Sequence, residues 1–197
     1  MTEHTVIPDS DPEPAVSPDR VRDRLYAAIT RLMAVLLLPA AYMTGRARHH
    51  ACQWALALRY PAEDLAGLTP PARAAFTEAR AVAFWRDGQL IGLTSGHRDA
   101  GTQRTLFAEE VRRGGSVDAA RKRVLPPDES SHVKGIALDV RPVQGALWLE
   151  RHGARFHLHR TYDNEWWHFE YRPEACGKPL PRLPHPGAKA DTEARSA

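Results

Sequence analysis

Cysteine is scarce in this 197-residue chain: there are two, Cys52 and Cys176, and no C-x-x-C. A four-cysteine zinc site is thereby excluded. Pairing the two would close a very long loop and would require an exported protein; two unpaired thiols is the other reading. The chain has no glycine-rich phosphate loop, no G-x-S-x-G elbow and no internal repeat. Nucleotide cradling of that kind, the serine-hydrolase turn and repeat architectures have no support here. Basic residues are not clustered with interleaved aromatics, and the net charge is only +3, so nucleic acid is not an expected partner. A mild positive balance suits an anionic wall or lipid surface without demanding one.

Long apolar runs are also lacking. The longest, Leu32 to Met43, is interrupted by Pro39. It is short for a membrane span and fits a buried helix or the apolar region of a signal sequence. Arg20, Arg22, Arg24 and Arg31 precede it, and Pro39-Ala40-Ala41 offers small residues for cleavage. The leader before it is long for a signal sequence. Extending the run back to Leu25 takes in Arg31, which is costly inside a bilayer. The reading favoured over a cytoplasmic core helix is export or membrane anchoring.

What is present is enough for one domain with tails: 43% of the residues are apolar. Residues 1–18 are polar, acidic and hold four of the 16 prolines, the composition of a disordered leader. Residues 19–45 form an apolar helix, a candidate signal or anchor. Residues 46–172 carry the foldable domain, and 173–197 form a proline-rich tail expected to be disordered. Within the domain, helices are expected from about Cys52 to Leu58, from Pro70 to Trp85, from Ala100 to Arg113, from Ser116 to about Val124 and from Val143 to His152. Strands are expected at Leu90–Leu93, Ile136–Val140, Phe156–Arg160 and Trp166–Tyr171. The fold class is α+β, helices packed on a small antiparallel sheet with a site on its open face.

Two short segments concentrate the chemistry. Ser130 to Asp139 reads S-x-H-x-x-G-x-A-x-D, and Glu165 to His168 reads E-x-W-H. Two imidazoles, two carboxylates and a glycine stand in otherwise apolar surroundings. That is the inventory of a catalytic zinc site: two His and one Asp as ligands, an open position for water, and a Glu to move protons. On a strand, Ile136, Leu138 and Val140 share one face, with Ala137 and Asp139 on the other. A carboxylate there wants a cation or hydrogen-bond donors. Gly135 lets the backbone turn, so His132 can return to Asp139. Trp166, His168 and Glu170 share a strand face by the same alternation. Glu165 and His168 are three apart, so both meet one metal only if Glu165 precedes the strand. Either segment alone is compatible with a structural histidine and a capping aspartate. His157 and His159 share a strand face with no third ligand spaced to them and read as surface or supporting residues. His97 and His152 read the same way, and Arg160 is placed near the site.

Together, in this order, the two segments resemble the zinc D-Ala-D-Ala peptidases, the family of the vancomycin-resistance dipeptidases and carboxypeptidases, of the Hedgehog/DD-peptidase fold. Phage endolysins that cut L-Ala–D-Glu belong with them. Thr94-Ser95-Gly96-His97-Arg98, followed by Gln103 and Leu106, resembles a third family element, S-G-Y-R-S…Q…L, with His97 and Asp99 as departures. The resemblance spans about Leu68 to Arg172. It implies that His132, Asp139 and His168 bind Zn²⁺ and that Glu165 is the general base. It implies further that Arg98 stabilises an oxyanion and that Gln103 and Ser130 line the substrate site. The implied activity is that of a D-alanyl-D-alanine carboxypeptidase acting, as a monomer, on a peptidoglycan stem peptide or a D-Ala-D-Ala-containing precursor. The alternatives are a D-Ala-D-Ala dipeptidase, an L-Ala–D-Glu endopeptidase and a non-catalytic zinc-containing wall-binding module.

Overall fold

A computed structural model describes residues 20–175, 178 and 180–188. The leader expected over 1–18 and Cys176 lie outside the described residues. Three helices come first: α1 (Arg20–Tyr42), α2 (Ala47–Arg59) and α3 (Pro70–Asp87). The α3 helix starts where two prolines can occupy the first turn without losing an intrahelical donor, and it ends on Gly88 at φ 67°. After it come β1 (Gly92–Ser95), α4 (Ala100–Gly114), α5 (Val117–Arg121), β2 (Ala137–Arg141), α6 (Val143–His152), β3 (Leu158–Arg160) and β4 (His168–Tyr171). The strands form one antiparallel sheet in the order β1-β2-β4-β3. The architecture is helices packed on a small antiparallel sheet.

Alternation along the central strands separates core from site. Leu138 and Val140 of β2 and Phe169 of β4 are fully buried against Phe76, Ala79 and Ala83 of α3 and Trp148 and Leu149 of α6. Asp139, His168 and Glu170 occupy the intervening positions and so face the other way. The indole N–H of Trp148 donates to Asp87 Oδ2 at 2.7 Å, which fixes α6 to the end of α3. A second cluster joins the first three helices through Ala34, Cys52, Ala55, Leu56 and Phe84. Cys52 is a free thiol there, pushed up to about 12 by burial and inert for that reason.

The α1 helix continues through Pro39 and is long and apolar enough, by length and composition, to cross a membrane. It is not a core helix: Leu32 and Leu36 are 60% and 66% exposed, while Thr30, Ala34 and Ala41 on the opposite side are buried. The proline-rich stretch after Pro173 is not uniformly detached. Leu183 pairs with Tyr162, and the Leu183 and Pro184 carbonyls accept from the Asp163 and Asn164 amides.

One buried ion pair ties the helical layer to the sheet. The Arg80 guanidinium of α3, 2% exposed, donates to Glu63 Oε2 at 2.9 Å and to Gln53 Oε1 at 2.6 Å. The other oxygen of Glu63 accepts from the Leu93 amide on β1. Glu63→Ala strands a buried cation and an edge amide together. We expect it to destabilise the fold by about 3–5 kcal/mol in denaturant unfolding; a loss under about 1 kcal/mol would mean that Arg80 finds another partner.

Candidate metal centre

Register brings the two motif segments together. Asp139 on β2 is the Cα partner of His168 on β4, and on its other side it faces Ser95 of β1. His132 arrives from the loop before β2. That loop turns at Gly135, whose φ of 68° is left-handed. A Cβ there would lie 2.5 Å from the Gly67 carbonyl, so glycine is required twice over. Glu165 stands in the turn before β4, and the His168 amide donates to its carbonyl at 3.3 Å. The strand begins only at His168. The alternation predicted from Trp166 therefore breaks at its start: Trp166 packs against the core, and Trp167 lines the site cavity.

The ligating atoms of His132, Asp139 and His168 all lie within 4.8 Å of one another, and all three residues are buried. Both rings are oriented by their partners. His132 Nδ1 is 2.6 Å from the Gly96 carbonyl, which can only accept. That nitrogen must therefore donate, which leaves Nε2 for the cluster, 3.4 Å from Asp139 Oδ1. His168 Nε2 is 3.1 Å from Glu170 Oε1, which turns Nδ1 toward Asp139 Oδ1 at 3.0 Å. Two imidazole nitrogens and one carboxylate oxygen thus converge on one point, a donor set suited to a divalent transition metal.

Charge balance in the metal-free protein is tight. Burial opposes ionisation of Asp139, but the hydrogen bonds from His132 and His168 more than reverse this and hold it well below the usual carboxylate range. Burial also disfavours His168 imidazolium, yet Asp139 and Glu170 raise the ring well above its ordinary value. Glu165 differs. Burial dominates and pushes it up to about 7, with only partial relief from His168. It is 3.8 Å from His168 Nδ1 and is beside the cluster rather than in it.

All seven residues singled out from the sequence line one cavity of about 400 Å³: Arg98, Gln103, Ser130, His132, Asp139, Glu165 and His168. Arg98 donates from Nη2 to Asp139 Oδ2 at 2.9 Å and from Nε to Ser95 Oγ at 3.0 Å. Gln103, 2% exposed, accepts from Arg98 Nη1 at 3.4 Å and donates to the Leu125 carbonyl at 2.8 Å. Asp99, a departure from the family pattern, caps α4 by accepting from the Thr102 amide. His97 packs beside Gly67 rather than in the site. Arg160 is held by Glu150 and by the carbonyls of Tyr162 and Asp163 and does not line the cavity. His157 and His159 belong to no metal-capable group among the described residues.

Two residues were missed as parts of the site. Glu170 is 1% exposed and hydrogen-bonds both His168 and Arg172. Its signal was the two-residue alternation that put it on the His168 face. Tyr162 stacks on His168 with ring centres 5.0 Å apart, and burial raises its phenol. Nothing in a turn sequence marks such a stacking partner.

No family model and no curated protein matches the chain. Solved structures do. The LdcB LD-carboxypeptidase aligns at 20% identity over 56% of this chain and 61% of its own, with a TM-score of 0.50. VanYB in complex with D-alanine-D-alanine aligns at 21% identity over 56% of this chain and 74% of its own, also at 0.50. The chain has the fold of LdcB and VanYB. A zinc-bound E175A mutant of the VanY D,D-pentapeptidase aligns at 23% identity over 55% and 76% of the two chains, with a TM-score of 0.49. The LdcB and VanYB matches leave over two fifths of this chain unaligned, and the LdcB match spans about three fifths of LdcB.

Proposed function

We propose that this chain is a zinc metallopeptidase that hydrolyses the terminal peptide bond of a peptidoglycan stem peptide, releasing D-alanine. The observation that carries the reading is the pair of pinned imidazoles. Gly96 O and Glu170 each occupy one nitrogen of a histidine and turn the other toward Asp139, with a high-pKa carboxyl alongside. His132 Nε2, Asp139 Oδ1 and His168 Nδ1 would hold the ion. Bound zinc would lower the pKa of a coordinated water to about 7 and polarise the scissile carbonyl.

The protein's own residues divide the remaining work. Glu165 takes the proton of the attacking water at its carboxylate and returns it to the departing amine. Arg98 lies in the cavity wall with its guanidinium anchored by Ser95 and Gln103, and its role in this reading is to stabilise the oxyanion. Its bond to Asp139 also positions that ligand. Gln103 and Ser130 line the space for substrate. The bond cut is read from the D-alanine-D-alanine held by VanYB. LdcB aligns equally well and is an LD-carboxypeptidase, so a stem ending in an L-residue followed by D-Ala is the second substrate to try. Action on assembled peptidoglycan, outside the cytoplasmic membrane, agrees with reading α1 as an export or anchoring segment.

Purified full-length protein should release D-alanine from an N-acylated peptide ending in D-Ala-D-Ala or in an L-residue followed by D-Ala. A chelator should stop release and added zinc should restore it. His168→Ala should lose both zinc and turnover. Zinc binding without release from either peptide, or from free D-Ala-D-Ala and L-Ala–D-Glu substrates, would leave a non-catalytic wall-binding module.

A further inference from the structure

A second cavity, of about 700 Å³, lies apart from the metal centre, between the start of α1, the end of α2 and the β2–α6 junction. Its charged lining residues are Asp23, Arg24, Arg59 and Arg141, an excess of two positive charges. Arg59 and Arg141 stack on the Tyr60 ring, at 5.1 and 4.9 Å, and Arg59 also lies 4.5 Å over Tyr26. Their Nε atoms are buried without a hydrogen-bond partner. Neither guanidinium has an ion pair among the described residues.

No other arginine among the described residues has a buried Nε without a hydrogen-bond partner. Arg80, Arg98, Arg160 and Arg172 each have a carboxylate partner. A guanidinium with a buried, unsatisfied Nε costs stability unless something occupies it. Aromatic stacking fixes the direction of these two and leaves their N–H edges available. The α6 helix, which has no side-chain cap, begins at the same cavity, with Val143 and Gln144 in its lining. Uncapped first-turn amides add a partial positive charge. Tyr26, Leu90 and Leu147 supply apolar wall.

We infer that this cavity is a binding site for a phosphate group carried on an apolar molecule. The charge of a phosphate monoester, about −1.5 to −2 at neutral pH, matches the excess of two, and its oxygens suit guanidinium forks and a helix start together. A single carboxylate would leave one arginine unmatched. The carrier is either an anionic lipid, whose headgroup enters beside the exposed apolar face of α1, or a soluble phosphate compound.

The test uses the full chain and two probes. Inorganic phosphate is titrated against the protein at constant ionic strength and followed by calorimetry and by melting temperature. Vesicles of phosphatidic acid, a phosphate monoester, and of phosphatidylcholine are used in co-sedimentation. Phosphate should bind and raise the melting temperature, and the Arg59→Met/Arg141→Met double variant, which keeps the apolar stems, should bind it at least about tenfold more weakly. An equal loss on phosphatidic acid vesicles would identify the lipid headgroup as the source. Loss for phosphate with unchanged vesicle binding would identify a soluble compound. Wild-type protein that neither binds phosphate nor gains melting temperature overturns the inference, whatever the variant does. Equal phosphate binding by a folded double variant overturns it too.

Discussion

Glu165→Gln should abolish turnover while leaving zinc bound, and it should also make the metal-free protein more stable at neutral pH. The first half follows from geometry. Glu165 lines the cavity beside the three ligands without joining them. Removing a positioned general base costs on the order of a hundredfold to ten-thousandfold in rate. The second half follows from the environment of the carboxyl. Burial raises Glu165 from its ordinary 4.5 to about 7. The folded state therefore holds this proton more tightly than the unfolded chain does. The associated stability is fully present below about pH 4.5 and is lost as pH rises through about 7. Each tenfold in proton affinity is about 1.4 kcal/mol, so the loss amounts to about 3 kcal/mol. A neutral amide of the same shape does not incur it. Metal-free Glu165→Gln should match the wild type near pH 4 and exceed it by up to about 3 kcal/mol above pH 7, in denaturant melts at each pH. A bound dication favours the carboxylate, so the zinc form should show less of this gain. Full activity in Glu165→Gln would refute the base assignment. Equal stability at pH 8 would refute the buried environment.

The fold class and the meeting of His132, Asp139, Glu165 and His168 at one cavity were legible in the sequence because they depend on local rules, whereas Arg98, Gln103 and Ser130 were reached only through the family resemblance. Alternation separated Leu138 and Val140 from Asp139, and the spacing of Glu165 to His168 required a turn, which is where Glu165 stands. What the sequence hid was contact between distant segments. The Asp139–His168 register, the Gly96 carbonyl on His132 and the Tyr162 ring on His168 are all products of tertiary packing. Strand limits were hidden for the same reason. Trp166 and Trp167 have high strand propensity, yet the turn that presents Glu165 uses both, and β4 starts after them.

Glu170→Gln should weaken zinc binding and also destabilise the metal-free protein, the opposite sign to Glu165→Gln. The two carboxyls approach the same imidazole from opposite ends. Glu165 is 3.8 Å from Nδ1 and lacks a strong partner; Glu170 is 3.1 Å from Nε2 and is also paired with Arg172. Burial opposes the charge on Glu170 as well, but the hydrogen bond from His168 and the nearby Arg172 reverse it and hold the group at about 2. Its folded value lies below its unfolded one. The stability it gives is present above about pH 4.5 and is lost as pH falls through about 2. Glutamine can accept from His168 or Arg172 but not satisfy both charges, so a loss of about 3 kcal/mol at neutral pH is expected. The effect on metal is separate from the effect on folding. Without a carboxylate on Nε2, the ring is less basic and its tautomer is free to change, which costs about 10- to 100-fold in zinc affinity. Competition with a chromophoric chelator measures this, and imidazole nitrogen shifts report the tautomer directly. A purely structural role would lower the melting temperature but leave the affinity of the folded protein unchanged. That result would remove Glu170 from the site and leave Asp139 and the Gly96 carbonyl as the groups that orient the histidines.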